Sequence, residues 1–196
     1  MINAILKNTQ QHVWQLFEQA DTTQLHYHSY QHTEDVVARI KTLAKHLCIE
    51  QPTTELLQIA GWLHDVGYLY GYQDHEDRGM KIAQDYLQEQ DLEQQSIQIV
   101  VNCIEATKLS LSPRNLLEQL IKDADISYGV TERFFETGAL LRKEWAYYLN
   151  KHYTNQAWAQ LQYDFLLTVE FFTDYAKQAY DPIVLKNIEQ QKLLLP

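Results

Sequence analysis

Apolar residues recur every three or four positions along almost the whole chain, and only six glycines and four prolines interrupt them. This spacing is typical of amphipathic α-helices, because residues three and four apart lie on the same face of a helix. It predicts a first helix over residues 2–20, a second that ends near Cys48, and a third that starts at Pro52-Thr53-Thr54 and ends near Gly67. We therefore expect an all-α protein.

The middle of the chain predicts three more helical regions. One helix should begin at His75 with Asp74 as its cap, a second should run from about Leu92 to Thr107, and Ser112-Pro113 should open a third. Residues 131–150 predict one or two further helices that are rich in aromatic side chains.

The C-terminal region predicts a long helix from Thr154 to about Tyr180. Asp181-Pro182 should end it, because a residue before proline disfavours helical backbone, and a short closing helix should follow over residues 183–194. The apolar positions that support the long helix are Leu161, Phe165, Val169, Phe172 and Ala176. No repeat or long linker divides the chain, so residues 1–196 are expected to form a single domain.

Charge and composition narrow the function classes. The net charge of −10 argues against a nucleic-acid-binding surface, which would need clustered Lys and Arg to neutralise phosphates. No apolar run approaches the ~20 residues that span a bilayer, and the N-terminus lacks a signal-peptide pattern. We expect a cytoplasmic protein that binds neither nucleic acid polymers nor membranes. Cys48 and Cys103 lie in apolar-periodic segments and are expected to be buried, reduced thiols.

Three polar features fall on the inward faces of separate predicted helices. The His64-Asp65 pair follows a nearly continuous apolar run, His32 lies one turn before the inward-facing Val36, and Asp125 shares helical spacing with apolar neighbours, whereas Asp123 lies farther round. Burying such groups unpaired costs several kcal/mol, so they need partners. Two imidazoles and two carboxylates suit a divalent ion such as Mn, Fe, Co, Ni, Zn or Mg.

The order of His32, His64-Asp65 and Asp125 resembles the H…HD…D signature of the HD-domain superfamily of metal-dependent phosphohydrolases. The flanking residues 60–67 and 122–125 are similar to that signature as well. The resemblance implies a helical bundle with a metal site in its core, held by His32, His64, Asp65 and Asp125, with Asp65 also assigned to catalysis. The signature region spans residues 27–130, and the helices of residues 131–196 should pack on it.

Further segments look like a group of small bacterial HD proteins. They are residues 75–79, 105–108 and 142–145. The HxxxG pattern at His75 is similar to the extra histidine of two-metal HD proteins, so His75, Glu76 and Glu105 are candidates for a second metal or for the substrate. Cationic side chains near these segments are candidate phosphate-binding groups: Arg78, Lys108, Arg142 and Lys143.

Residues 27–36 show a second, local resemblance, to the segment of cyclic-nucleotide phosphodiesterases in which one histidine is the proton donor and the histidine four residues later binds metal. Mapped onto this chain, His28 would be the general acid and His32 the ligand. Ser29 replaces the usual Asn, and the nucleotide-selecting glutamine pocket has no counterpart in the sequence. The resemblance therefore carries the chemistry and not the cyclic-nucleotide specificity.

Together these features predict hydrolysis of a phosphomonoester or phosphodiester of a nucleotide-like small molecule by metal-activated water. Two alternatives stay open: a di-iron oxygenase of the HD type, and a non-catalytic nucleotide-binding or signalling module. The aromatic-rich late helices could form a homodimer surface or simply cover the core.

Overall fold

The computed structural model describes residues 2–195, which fold into α-helices and one 3-10 helix with no strand in that range. The α-helices are α1 (Ile2–Gln19), α2 (Tyr30–His46), α3 (Gln51–Leu63), α4 (His75–Glu89), α5 (Gln94–Ala106), α6 (Leu116–Val130), α7 (Phe134–Tyr148), α8 (Asn155–Leu166) and α9 (Asp174–Lys192). The all-α prediction is confirmed, and residues 131–150 form one helix rather than two.

Helix α3 is the centre of the molecule. Every residue of α3 from Glu55 to Leu63 is buried, and the helix packs against α1, α2 and α5. Gly61 lets α2 approach closely, because a Cβ atom at this position would lie 2.5 Å from Ile40 Cδ1 and 3.1 Å from Val37 Cγ2. This contact brings the C-terminal end of α3 against the middle of α2.

Helix α6 packs on the other side of α2. Arg39 of α2 donates hydrogen bonds of 3.3 Å to Ser127 Oγ and Thr131 Oγ1, at the C-terminal end of α6. The middle of α6, which carries Asp125, therefore faces the start of α2.

The predicted end of the central helix near Gly67 is wrong. Helix α3 ends at Leu63, and a 3-10 helix (Val66–Tyr70) follows, where the sequence predicted continued helix and then a loop. Gly67 lies tightly against the start of α4, since a Cβ atom here would come within 1.9 Å of the His75 carbonyl oxygen. Apolar residues continue past Leu63 because the 3-10 helix is buried as well, so their pattern does not reveal where α3 ends.

Two helix starts also differ from their predictions. Helix α4 begins at His75 as expected, but Asp74 adopts a left-handed backbone (φ 54°) and makes no capping bond through its side chain. Helix α6 begins at Leu116 instead of Ser112-Pro113, because Asn115 accepts hydrogen bonds from the backbone N–H groups of residues 117 and 118 and is the actual cap.

The predicted long helix from Thr154 to Tyr180 is two helices, α8 and α9. The fully buried carboxylate of Asp123 accepts hydrogen bonds from the backbone N–H of Phe172 (2.8 Å), and from the N–H (2.8 Å) and hydroxyl (2.7 Å) of Thr173. Thr173 in turn caps α9. Pro182 lies inside α9 and does not end it. Asp123, which helical spacing placed farther round than Asp125, is therefore buried and holds the connection between α8 and α9.

The two cysteines differ in exposure. Cys103 is buried as expected, but Cys48 is exposed, because it lies just beyond α2 with a left-handed backbone (φ 53°). Within residues 2–195, no helix has the length and apolarity needed to cross a bilayer.

Candidate metal centre

Three helices bring four polar side chains to one point in the core. His32 lies in the first turn of α2, whose N-cap Ser29 accepts a hydrogen bond from the His32 backbone N–H. His64 is the C-cap of α3 and Asp65 follows it, while Asp125 comes from the middle of α6. His32, His64 and Asp65 are buried, and the Asp125 side chain keeps 23 % exposure toward a cavity.

The distances between these groups match those expected around a single ion. The Nε2 atoms of His32 and His64 are 3.2 Å apart, and Asp65 Oδ2 lies 3.1 Å from each. Asp125 Oδ1 lies 3.4 Å from His32 Nε2 and 3.7 Å from His64 Nε2. His32, His64 and Asp125 each offer a ligand atom within 4.8 Å of the others.

Hydrogen bonding shows which atoms face the centre of this cluster. His64 Nδ1 lies 2.8 Å from the Gly61 carbonyl oxygen, which can only accept, so Nδ1 carries the proton and the Nε2 lone pair of a neutral ring points inward. Asp65 Oδ2 is buried and finds no hydrogen-bond donor among the described residues. A lone pair and a carboxylate oxygen facing each other at 3.1 Å need a cation between them, and the donor set fits a divalent metal.

The electrostatics show that the two carboxylates attract positive charge to this point. Burial by itself would lower the pKa of His32 and of His64, but Asp65 and Asp125 outweigh it, and both pKa values are raised. Burial would likewise raise the pKa of Asp65 and of Asp125, but the two histidines hold both below the usual range. The cluster therefore favours ionised carboxylates together with bound positive charge.

The comparisons with known proteins agree with this geometry. A model of the HD domain matches residues 29–127, half of the 196-residue chain. The chain belongs to the HD-domain family. The matched region contains His32, His64-Asp65 and Asp125, which are the histidines and carboxylates that meet in space.

The fold is also similar to a solved structure. The crystal structure of a predicted HD superfamily hydrolase from an uncultured Thermotogales bacterium aligns with a TM-score of 0.65 and 17 % sequence identity, over 96 % of this chain and 90 % of that chain. The match extends beyond the signature region and includes the C-terminal helices of this HD protein. A comparison with curated proteins finds no match.

His28 lies beside the ligand cluster of this HD protein, with its ring centroid 5.9 Å from that of His32, and is held by Glu144 of α7. The fully buried Glu144 carboxylate bonds to His28 Nδ1 and accepts hydrogen bonds from the backbone N–H groups of Tyr27 (2.8 Å) and His28 (3.2 Å). It also accepts a hydrogen bond of 2.9 Å from the Tyr72 hydroxyl. Because Nδ1 is occupied, Nε2 is the His28 nitrogen left for a ligand, and the ring is 13 % exposed in the cavity.

Of the three candidates for a second metal or the substrate, the structure brings two to the cluster. His75 Nε2 lies 3.9 Å from Asp65 Oδ1, and Glu76 Oε2 lies 3.2 Å from His75 Nδ1, so these residues border the cluster. Burial lowers the pKa of His75 to about 4, and its ring stacks on Tyr68 at 3.7 Å. Glu105 is not brought there, because its carboxylate pairs with Arg114 at 2.7 Å and does not line the cavity.

The four candidate phosphate-binding residues do not converge on the cluster. Arg78 donates to the carbonyls of Gly67, Gly71 and Gln73, and Lys108 pairs with Asp77. Arg142 donates to the Tyr153 carbonyl and to Asn155, and Lys143 is exposed. None of the four is among the cavity-lining residues, and the contacts of Arg78, Lys108 and Arg142 are with other parts of the protein.

Sequence reasoning missed Glu144 as a functional residue. Residues 142–145 resemble small bacterial HD proteins, and only the cations Arg142 and Lys143 in them were given a candidate role. Yet Leu141, Glu144 and Tyr148 follow helical spacing and place the carboxylate on the same face of α7 as apolar and aromatic neighbours. An acidic residue on such a face needs a buried partner, and that signal was available. The identity of the partner, a histidine 116 positions away, was not.

Proposed function

We propose that this HD protein hydrolyses a phosphomonoester or phosphodiester of a small molecule, with one divalent ion held by His32, His64, Asp65 and Asp125. The observation that carries the proposal is that Asp65 and Asp125 of the ligand cluster line the same cavity of about 400 Å³ as His28, the histidine that Glu144 holds. Such a volume is in the range of small-molecule sites.

A divalent ion bound in such a site supplies Lewis acidity and makes water a better nucleophile near neutral pH. Asp65 is suited to hold it, because Oδ2 faces both histidines and the residue also lines the cavity. Asp125, from a different helix, offers Oδ1 to the same two histidines.

His28 is suited to deliver a proton to the leaving oxygen. Glu144 fixes the ring through Nδ1, Tyr68 stacks on its face at 3.9 Å, and Nε2 is left as the proton-carrying atom toward the ligand. A positioned general acid is worth typically ~10²- to 10⁴-fold in rate. Glu144 acts through His28 and is a positioning residue.

The test is chromatographic detection of products after incubating metal-supplemented protein with a panel of cyclic, linear and monophosphate nucleotides and simple phosphoesters. The proposal expects product from the wild type and none from Asp65→Ala. A wild type that retains its metal and cleaves no ester in the panel would contradict the proposal.

A further inference from the structure

The cavity does not end at the ligand cluster. Beyond Asp125 it continues between α6, α7 and α8 into an apolar chamber, which we define by Ile126, Val130, Phe134, Leu141, Trp158 and Phe165. Asp125 and Ile126 are neighbours on α6, so the carboxylate marks the boundary between the polar end and this chamber. A ligand that reaches the cluster and extends into the chamber would place the rest of its body against largely apolar side chains, with Gln162 as a polar member of the lining.

The rim of the cavity is apolar as well. Leu109 (68 % exposed) and Phe165 (37 % exposed) both line it. Exposed large apolar side chains at the mouth of a cavity lose unfavourable contact with water when an apolar ligand covers them. The apolar character thus extends from the interior to the opening.

Positive charge is missing from the walls. No Lys or Arg is among the cavity-lining residues of the described chain, whereas Asp65, Glu76 and Asp125 are. The ammonium group of the buried Lys122 donates hydrogen bonds to the carbonyls of Ala106 (3.0 Å) and Lys108 (2.6 Å). A ligand with several phosphates would bring charges for which these walls offer no counter-charge.

We propose that the substrate is a phosphate ester with a single phosphoryl group and an apolar alcohol, an alkyl or arylalkyl chain that fills the apolar chamber. This inference rests on the proposed phosphohydrolase function and names the substrate class of that site. In the reaction, a water oxygen forms a new bond to phosphorus while the bond from phosphorus to the alcohol oxygen breaks. The alcohol oxygen keeps that electron pair and takes a proton, and the products are the free alcohol and phosphate, or a phosphomonoester when the substrate is a diester.

The experiment compares esters whose leaving groups are all primary alcohols, so that their intrinsic reactivities are similar. Ethyl phosphate, octyl phosphate, glucose 6-phosphate and adenosine 5′-monophosphate, each also as its methyl diester, are offered to the metal-loaded full-length protein. One methylene in an apolar pocket is worth roughly 10- to 200-fold in kcat/KM, and the octyl group has six more methylenes than the ethyl group, so we expect octyl phosphate to exceed ethyl phosphate by at least about 100-fold.

A matched pair of variants assigns the preference to the chamber. Phe165→Ala removes an apolar side chain that lines the cavity, and Leu167→Ala removes one that is 57 % exposed at the end of the same helix and does not line it. Phe165→Ala should lower kcat/KM for the octyl ester about tenfold and change that for the ethyl ester less than twofold. Leu167→Ala should change neither.

Binding separates this inference from the proposed function. The non-hydrolysable octylphosphonate should bind the metal-loaded protein at least about 100-fold more tightly than ethylphosphonate in calorimetry, whether or not any ester is cleaved. If no ester is cleaved and this preference holds, the phosphohydrolase proposal fails together with the substrate class named here, and only the preference of the chamber for an apolar ligand stands. Equal binding of the two phosphonates, or a preference for glucose 6-phosphate or the nucleotide over the octyl ester, would overturn the chamber inference while hydrolysis itself stands.

Discussion

Glu144 and His28 are 116 positions apart in the sequence, yet the Glu144 carboxylate binds His28 Nδ1 and the backbone N–H of the same residue. This contact ties α7 to the segment before α2 and leaves His28 Nε2 as the nitrogen that a ligand can meet. It joins the C-terminal helices, which carry no part of the HD signature, to the candidate site.

The contact predicts how a Glu144→Gln variant should behave. The amide keeps the shape but brings no negative charge to His28, so turnover of the metal-loaded protein should fall by roughly 10- to 100-fold, less than the ~10²- to 10⁴-fold expected for His28→Ala. Metal content, measured by mass spectrometry, should be normal in both. Glu136→Gln, on the exposed side of the same helix, is the control and should keep full turnover. Loss of metal in Glu144→Gln or His28→Ala would contradict the assignment of His28 as a general acid that does not bind the metal.

The same pair predicts a dependence of stability on pH. Burial would raise the pKa of Glu144 above its ordinary value of 4.5, but the bond to His28 outweighs burial and lowers it. A lowered folded-state pKa stabilises the protein above pH 4.5, and this contribution is lost as the pH falls from 4.5 through the folded-state pKa. Urea unfolding should therefore show that the wild type loses its stability advantage over Glu144→Gln on acidification below pH 4.5. A difference that stays constant across that range would show that ionised Glu144 does not stabilise the fold.

Metal stoichiometry should distinguish the cluster from the neighbouring His75. We expect one tightly bound ion per chain in the wild type and in His75→Ala, since the four ligand atoms lie in the cluster and His75 Nε2 is 3.9 Å from Asp65. Plasma mass spectrometry of protein dialysed against metal-free buffer gives the ratio. A wild type with two ions that drops to one in His75→Ala would establish a second site instead.

Asp123 and Asp125 offer a matched comparison on one helix. Asp125→Asn should reduce metal content strongly with a modest change in stability. Asp123→Asn should keep the metal but lower the free energy of unfolding by about 1–3 kcal/mol, because one of the three hydrogen bonds to residues 172 and 173 would be lost at a buried position. The reverse pattern, metal loss in Asp123→Asn alone, would exchange the roles given to the two carboxylates.

Much of the fold could be predicted from the sequence because the helices are amphipathic. The spacing of apolar residues located α1, α2 and α5 closely, and it placed His32 on the buried face. The break between α8 and α9 could not be predicted, because it depends on Asp123, about 50 residues earlier, which accepts the hydrogen bonds of the connecting backbone. The spacing of apolar residues within a segment does not reveal a partner so far away in the sequence.

The same limit applies to the candidate site. Residue type and order indicated His32, His64, Asp65 and Asp125, and these four do meet in space. The sequence could not predict that the guanidinium of Arg78 donates its hydrogen bonds to backbone carbonyls, because a backbone carbonyl is present at every residue and has no sequence signature. The apolar chamber depends on how α6, α7 and α8 are arranged, and helical spacing does not specify that arrangement.

The most direct test of the central claim is to measure metal content and phosphate-ester hydrolysis on the same preparations of wild type and Asp65→Ala. The wild type should hold one divalent ion per chain and release product, and Asp65→Ala should do neither, while circular dichroism shows that it remains helical. Full hydrolysis by an Asp65→Ala protein that has lost its metal would contradict the site and the proposed chemistry together.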